Sequence, residues 1–213
     1  MMTQNIQLLR NRIEKILSKK RFEHTVGVAN AAKRLGKIFL PDKKDELICA
    51  ALLHDIAKEL NEQELLELIS STGYLLSDAD KESPPVLHAY AAPAVIKRDF
   101  PDFADEEILR AVFYHTVGST DMTLFDEIIF ISDFIEDGRE YESSIKVRAD
   151  LFSRLGEAKN RSESLIALHT AVIEAIDSTL LHLIKKNKHI NEKTVMTRNH
   201  FFNLIKQEKQ NES

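Results

Sequence analysis

Residues 45–60 read Asp-Glu-Leu-Ile-Cys-Ala-Ala-Leu-Leu-His-Asp-Ile-Ala-Lys-Glu-Leu. The run is apolar on nearly every side through its middle, which predicts a helix over 45–60 at the centre of the fold. His54 and Asp55 are out of place in it. Burying them unpaired costs several kcal/mol, whereas a metal ion compensates the carboxylate and uses the imidazole nitrogen. Adjacent helical residues point about 100° apart, so both can reach one cluster, and Lys58 shares the face of His54. A buried ion pair is the alternative reading of the same dipeptide.

Helical spacing extends outward from this run in both directions. Only 6 Gly and 5 Pro occur, and no segment alternates with period two. Helices are predicted over 5–17, over 22–39 with Pro41 stopping it, and from Asn61 onward, where Glu64 completes a capping-box pattern. Ser77 to Pro85 reads as a loop. Further helices are predicted over 86–98, 105–116, 124–136, 162–186 and 192–207, with a frayed tail of residues 208–213. Gly118 and Gly138 stand where C-terminal caps belong. The expected fold is all-α: one domain over 1–213, with C-terminal helices (about 160–207) packed on a core of about 18–150.

Composition bounds the function classes. The 213 residues are 43% hydrophobic and 30% charged, with net charge −5, so the whole chain carries no basic footprint for nucleic acid. The single cysteine, Cys49, cannot form an internal disulfide and reads as a small buried hydrophobe in a reducing compartment. The N-terminal stretch lacks a signal-peptide pattern, and no run approaches the roughly 18 apolar residues of a membrane helix. The expectation is a cytoplasmic protein without a membrane partner; a homodimer is left open.

Other polar residues share predicted core helices with this pair. His24 is in register with Val28 and Ala31, which also suits a satisfied core histidine. Asp133 interrupts Ile128-Ile129-Phe130-Ile131-Ser132-Asp133-Phe134-Ile135, where a carboxylate needs a metal, a helix to cap or a lysine to pair with. His115 ends a helix, a place that also favours a cationic imidazole. His88 follows a Pro-Pro loop and is uninformative by itself. His169, His182, His189 and His200 read as surface or core residues.

The order His24, then His54-Asp55, then Asp133 resembles the H…HD…D signature of the HD superfamily. His115-Thr116-Val117-Gly118, Met122 and Ile131 to Arg139 are similar to its YqeK-like branch, the bacterial symmetrical diadenosine tetraphosphate hydrolases. The similarity runs from about Arg21 to Arg148 and weakens through the C-terminal helices. Ala89 and Asp137 depart from the branch, which usually has Gly after the histidine matching His88 and Pro after the glutamate matching Glu136.

The resemblance implies a divalent metal centre, often dinuclear iron, with His24, His54, Asp55 and Asp133 as ligands. Asp55 is the chosen bridge because a carboxylate joins two cations and an imidazole rarely does. Nitrogen and oxygen donors equally suit Mn, Ni or Zn. His88 and His115 complete a second metal site or bind phosphate oxygens, and with Asp55 and Lys58 are the candidate catalytic residues. Arg21, Lys58 and Arg139 are placed on a polyphosphate, with Thr116 beside it. The segment Thr194 to Asn199 is a further candidate for the nucleotide pocket. The implied reaction takes diadenosine tetraphosphate and water to two ADP. The rivals are another HD phosphohydrolase (guanosine polyphosphate, dNTP, nucleoside monophosphate or cyclic dinucleotide), a non-catalytic nucleotide- or protein-binding module, and a plain helical scaffold.

Overall fold

Helix α3, Lys44–Leu53, is the hub: Leu47, Cys49 and Ala50 through Leu53 are all buried, and it packs against α1, α2, α7 and α8. The structure is a computed structural model that describes the backbone of residues 2–211 and the side chains of residues 5–210. Among these there are eleven α-helices and no strand. Around α3 run α1 (Met2–Glu14), α2 (Lys19–Phe39), α4 (Glu62–Thr72), α5 (Asp78–Lys81), α6 (Leu87–Asp99), α7 (Glu106–Tyr114) and α8 (Leu124–Ile135). The chain then forms α9 (Glu142–Glu157), α10 (Arg161–Lys185) and α11 (Glu192–Asn211), with α10 lying against α8, α9 and α11. One hydrophobic cluster runs from Leu9 to Phe201 and takes in both halves.

The predicted helices over 5–17, 22–39, 86–98, 105–116, 124–136, 162–186 and 192–207 all exist, shifted by a few residues. Asn61 closes the expected capping box with Glu64. Four expectations are corrected. The helix predicted over 45–60 stops at Leu53, and residues 54–59 form turns closed by Ile56 N–H to Leu53 O and Lys58 N–H to Asp55 O. The loop over Ser77 to Pro85 contains α5 and a turn of 3₁₀-helix at Pro84–Val86. The 208–213 tail is helical as far as Asn211, and residues 212–213 lie outside the described backbone. Finally, α10 is long and apolar enough to cross a bilayer by length and composition, with a mean hydropathy of 1.4 over its window. In this fold it buries Ala167, Leu168, Ala171, Val172, Ala175 and Ile176 on one face. No separate element was expected over 142–157, where α9 stands.

Helix α5 exists because its polar groups are paired. Ser77 and Asp80 form a capping box, and the fully buried Asp80 carboxylate then accepts from Tyr90 Oη at 2.8 Å, Asn191 Nδ2 at 2.9 Å and Lys193 Nζ at 2.7 Å. The carboxylate thus ties the segment before α6 to the start of α11. Burial alone would raise its pKa, but Lys193, Asn191, Ser77 and Tyr90 outweigh burial and hold it below the usual carboxylate range. Its stabilising contribution is therefore complete above the unfolded value of about 3.9 and is lost as pH falls towards the lower folded value. Urea unfolding should show that Asp80→Asn costs about 2–3 kcal/mol at pH 7, since Lys193 loses its counter-charge. The variant should also lose less stability than the wild type between about pH 4 and 2. Parallel acid limbs would show that Asp80 is not the acid-labile group.

Candidate metal centre

Three histidines are aimed by the same local device. His54 and His115 are the C-terminal caps of α3 and α7, and each donates Nδ1–H to the carbonyl three residues earlier: Ala51 at 2.7 Å and Val112 at 2.6 Å. His88, beside the 3₁₀ turn, does the same to Pro85 O at 2.8 Å. A carbonyl only accepts, so each ring carries a proton on Nδ1 and turns its Nε2 into the centre. The last carbonyls of a helix have no partner within it, which leaves them free for this task.

All three Nε2 atoms meet at Asp55, a buried carboxylate whose two oxygens face different neighbours. Oδ2 lies 3.5 Å from His54 Nε2, 3.7 Å from His24 Nε2 and 2.6 Å from Arg21 Nη1. Oδ1 lies 3.0 Å from His88 Nε2 and 3.6 Å from His115 Nε2. The Asp133 carboxylate closes the first group, 3.0 Å from His24 Nε2 and 3.9 Å from His54 Nε2, and accepts from Arg139 Nη2 at 2.6 Å. Burial would raise the Asp55 and Asp133 carboxyls; the histidines around Asp55, and Arg139 with His24 at Asp133, hold both well below the usual range. Burial works the other way on His88 and lowers it to about 4, so this ring is neutral at pH 7.

His24 differs from the other three. Its Nδ1 faces Glu136 Oε1 at 3.2 Å, and the same carboxylate accepts from Gly138 N–H at 2.6 Å. Burial would lower the imidazole, but Asp133 and Glu136 lift it to about 9, and the Glu136 carboxylate orients the ring. Gly27, one turn along α2, leaves the space: a Cβ there would run into Glu136 Oε2. Neither Glu136 nor Gly27 was singled out from sequence. A glutamate three residues after Asp133 and a glycine three after His24 were the available signals. Gly138, expected as a helix cap, has no positive φ; its N–H serves Glu136 instead.

The structure brings Lys58, Thr116, Arg21 and Arg139 to the edge of this centre, and leaves the segment Thr194 to Asn199 away from it. Lys58 was expected to follow His54 by helical periodicity; the turns carry its Nζ to the His88 ring, 3.2 Å from each nitrogen. Burial lowers the Lys58 pKa. Thr116 Oγ1 is 3.2 Å from His115 Nε2. Arg21 and Arg139, expected on phosphate, are bonded to the two carboxylates. Gly118, at φ +74, does cap the turn after α7, and a side chain there would meet Thr197 Cγ2 at 2.5 Å. The segment Thr194 to Asn199 thus packs on the His115–Gly118 turn, and Met196 lines a separate aromatic cavity.

These residues fit a divalent metal. Buried Nε2 atoms of His24 and His54 make no well-aligned hydrogen bond, and they face carboxylate oxygens in one all-nitrogen-and-oxygen donor set. A family model for the HD domain matches residues 21–152. The chain belongs to the HD-domain family. A Bacillus subtilis (strain 168) relative named symmetrical bis(5′-nucleosyl)-tetraphosphatase is 32% identical over 187 residues, 88% of this chain and 92% of that protein. A Staphylococcus aureus protein of the same name is 29% identical over 92% of this chain and 94% of its own. A Clostridium acetobutylicum crystal structure, described as a predicted HD superfamily hydrolase involved in NAD metabolism, has a TM-score of 0.77 at 28% identity. It covers 92% of this HD-domain chain and 96% of that one.

Removing the Glu136 carboxylate should weaken metal binding without removing a ligand. Metal titration of Glu136→Ala is expected to show a 10–100-fold loss of affinity (about the range for outer-shell partners of a ligating histidine). Gly27→Ala should move in the same direction by displacing the carboxylate. Wild-type affinity in both would detach Glu136 from the centre.

Proposed function

We propose that this HD-domain protein is a metal-dependent hydrolase that cleaves diadenosine tetraphosphate symmetrically, with water, to two ADP. One observation carries the reading: Asp55 presents one oxygen to His24 and His54 and the other to His88 and His115. His24, His54, Asp55 and Asp133 would hold one divalent ion, and Asp55 with His88 and His115 would offer donors to a second. The named activity of relatives matched along almost their full length supplies the substrate. When bound, a divalent pair lowers the pKa of a shared water and neutralises phosphoryl charge. We take iron as the resident metal, with Mn, Ni or Zn as alternatives for the same donors.

The chain's own groups then have distinct tasks. Carbonyl-anchored Nδ1–H groups hold the His54, His88 and His115 rings in place, so their donor nitrogens need no reorganisation during the reaction. Arg21 and Arg139, at the edge of the centre, supply fork-shaped cations for the polyphosphate. Lys58 stands over His88 as a point charge for the leaving ADP oxygen, and Thr116 faces the same side through His115. The hydrolysed bond joins the two inner phosphoryl groups: water adds to one phosphorus, and the bridging oxygen leaves on the other ADP. A cytoplasmic setting fits the nucleotide substrate and the single buried cysteine.

Chromatography of the products made by metal-loaded protein tests the reading. The expected product of diadenosine tetraphosphate is ADP alone; ATP with AMP, or faster turnover of a guanosine polyphosphate, dNTP or cyclic dinucleotide, would overturn it. Asp55→Asn should lower kcat/KM by about a thousandfold or more, through lost metal binding and charge stabilisation. Metal content near wild type in that variant, with unchanged turnover, would remove Asp55 from the chemistry.

A further inference from the structure

A cavity of about 670 Å³ is lined by Arg21, His24 and Arg139 of the metal centre, by Asn30 farther along α2, and by Tyr141. That volume lies within the range of sites that hold nucleotide-sized ligands, about 300–1,000 Å³. Its walls are of two kinds. Tyr141 is 69% exposed although it is a large aromatic residue, and neither its ring nor its hydroxyl has a partner among the described residues. The Asn30 side chain is exposed, and its amide makes no hydrogen bond within the described chain. By contrast, Arg21 and Arg139 are both charged and both bonded to the carboxylates of the centre.

Helix geometry sets the spacing along the α2 wall. Lys20, His24, Gly27 and Asn30 fall on one face of α2, and all four line the cavity. His24 and Asn30 are six residues apart, which is about 9 Å along the helix axis. Gly27 lies between them, and the Glu136 carboxylate occupies the space its missing side chain leaves. Cations beside the metal centre and an uncommitted ring and amide in the same cavity match the phosphates and the base of a nucleotide.

We propose that Tyr141 and Asn30 form a purine-base subsite of this cavity, with Tyr141 as the stacking surface and the Asn30 amide on the base edge. The ligand class is a 5′-nucleotide whose phosphates point to Arg21 and Arg139; the inference rests on the hydrolase reading for its choice of substrate. Asn30 makes the subsite selective. An amide offers a donor and an acceptor side by side, which matches adenine N7 and N6–H; guanine shows two acceptors on the same edge. The other cavity rich in aromatic rings, about 280 Å³ under Tyr74, Tyr90 and Phe113, includes none of Arg21, His24 or Arg139 in its walls. Its Lys193 amine and Tyr90 hydroxyl are already bonded to Asp80, and its Tyr74 hydroxyl to Lys193.

Calorimetric titration of the metal-loaded protein with ADP, GDP and inorganic tripolyphosphate tests this without needing turnover. Tyr141→Ala should weaken ADP about tenfold or more and change tripolyphosphate by less than about twofold, while Tyr141→Phe should stay within about threefold for ADP. Asn30→Ala should bring the ADP and GDP affinities together. Equal losses for ADP and tripolyphosphate in Tyr141→Ala, or no loss for either, would overturn the subsite; an unchanged ADP-to-GDP ratio in Asn30→Ala would overturn the role of Asn30. Because binding is read directly, a protein that fails to cleave diadenosine tetraphosphate but shows these losses keeps the subsite and loses only the reaction. Thermal melts of both variants should match the wild type, since both side chains are exposed.

Discussion

Asp55 is a carboxylate buried in the middle of an apolar fold, and much of the surrounding structure exists to keep it charged. An isolated buried carboxylate would take up a proton, because the charged form pays the desolvation cost. Here Arg21 and four imidazoles converge on its two oxygens from α2, from the end of α3, from the start of α6 and from the end of α7. Two of the helices that carry those groups, α2 and α7, pack directly on α3, and α6 packs on α7. The packing of the core and the electrostatics of the centre therefore share one solution: helices whose apolar faces meet also deliver their polar ends to one point.

Termination of helices is the means of delivery. Regular α-helix beyond Leu53 would place the Asp55 N–H on the Ala51 carbonyl, where it would compete with the His54 ring. Ending the helix there frees the carbonyl to hold the imidazole and lets the chain turn so that His54 and Asp55 face the same space. The same exchange occurs at Val112 and His115. His24, in mid-helix, has no free carbonyl three residues back. It relies on Glu136 instead, and Glu136 in turn requires the missing side chain of Gly27.

The C-terminal helices belong to this arrangement rather than standing beside it. Thr197 of α11 donates to Val117 O and packs on Gly118, in the turn that carries His115 and Thr116. Lys193 and Asn191 hold Asp80 and, through it, the segment leading to His88. Both histidines on the Oδ1 side of Asp55 are thus braced by the last helix, whereas the Oδ2 side is braced by α2 and α8.

The all-helical class, most helix positions, and the residues of the centre were legible in the sequence. Apolar spacing reports which faces are buried, and a histidine or aspartate inside such a face stands out by its cost. What spacing cannot report is where a buried helix stops when the stopping group is itself a polar side chain. The run through His54 looks helical to Leu60, yet a bond from an imidazole to a carbonyl ends it at Leu53. The tasks of Glu136 and Asp80 were not legible for a related reason: each depends on a partner 112 or 113 residues away. The sequence alone determined which residues are too polar for their surroundings. Only the tertiary structure decided which oxygen of Asp55 meets which histidine, because that pairing is set by the packing of separate helices and not by any local rule.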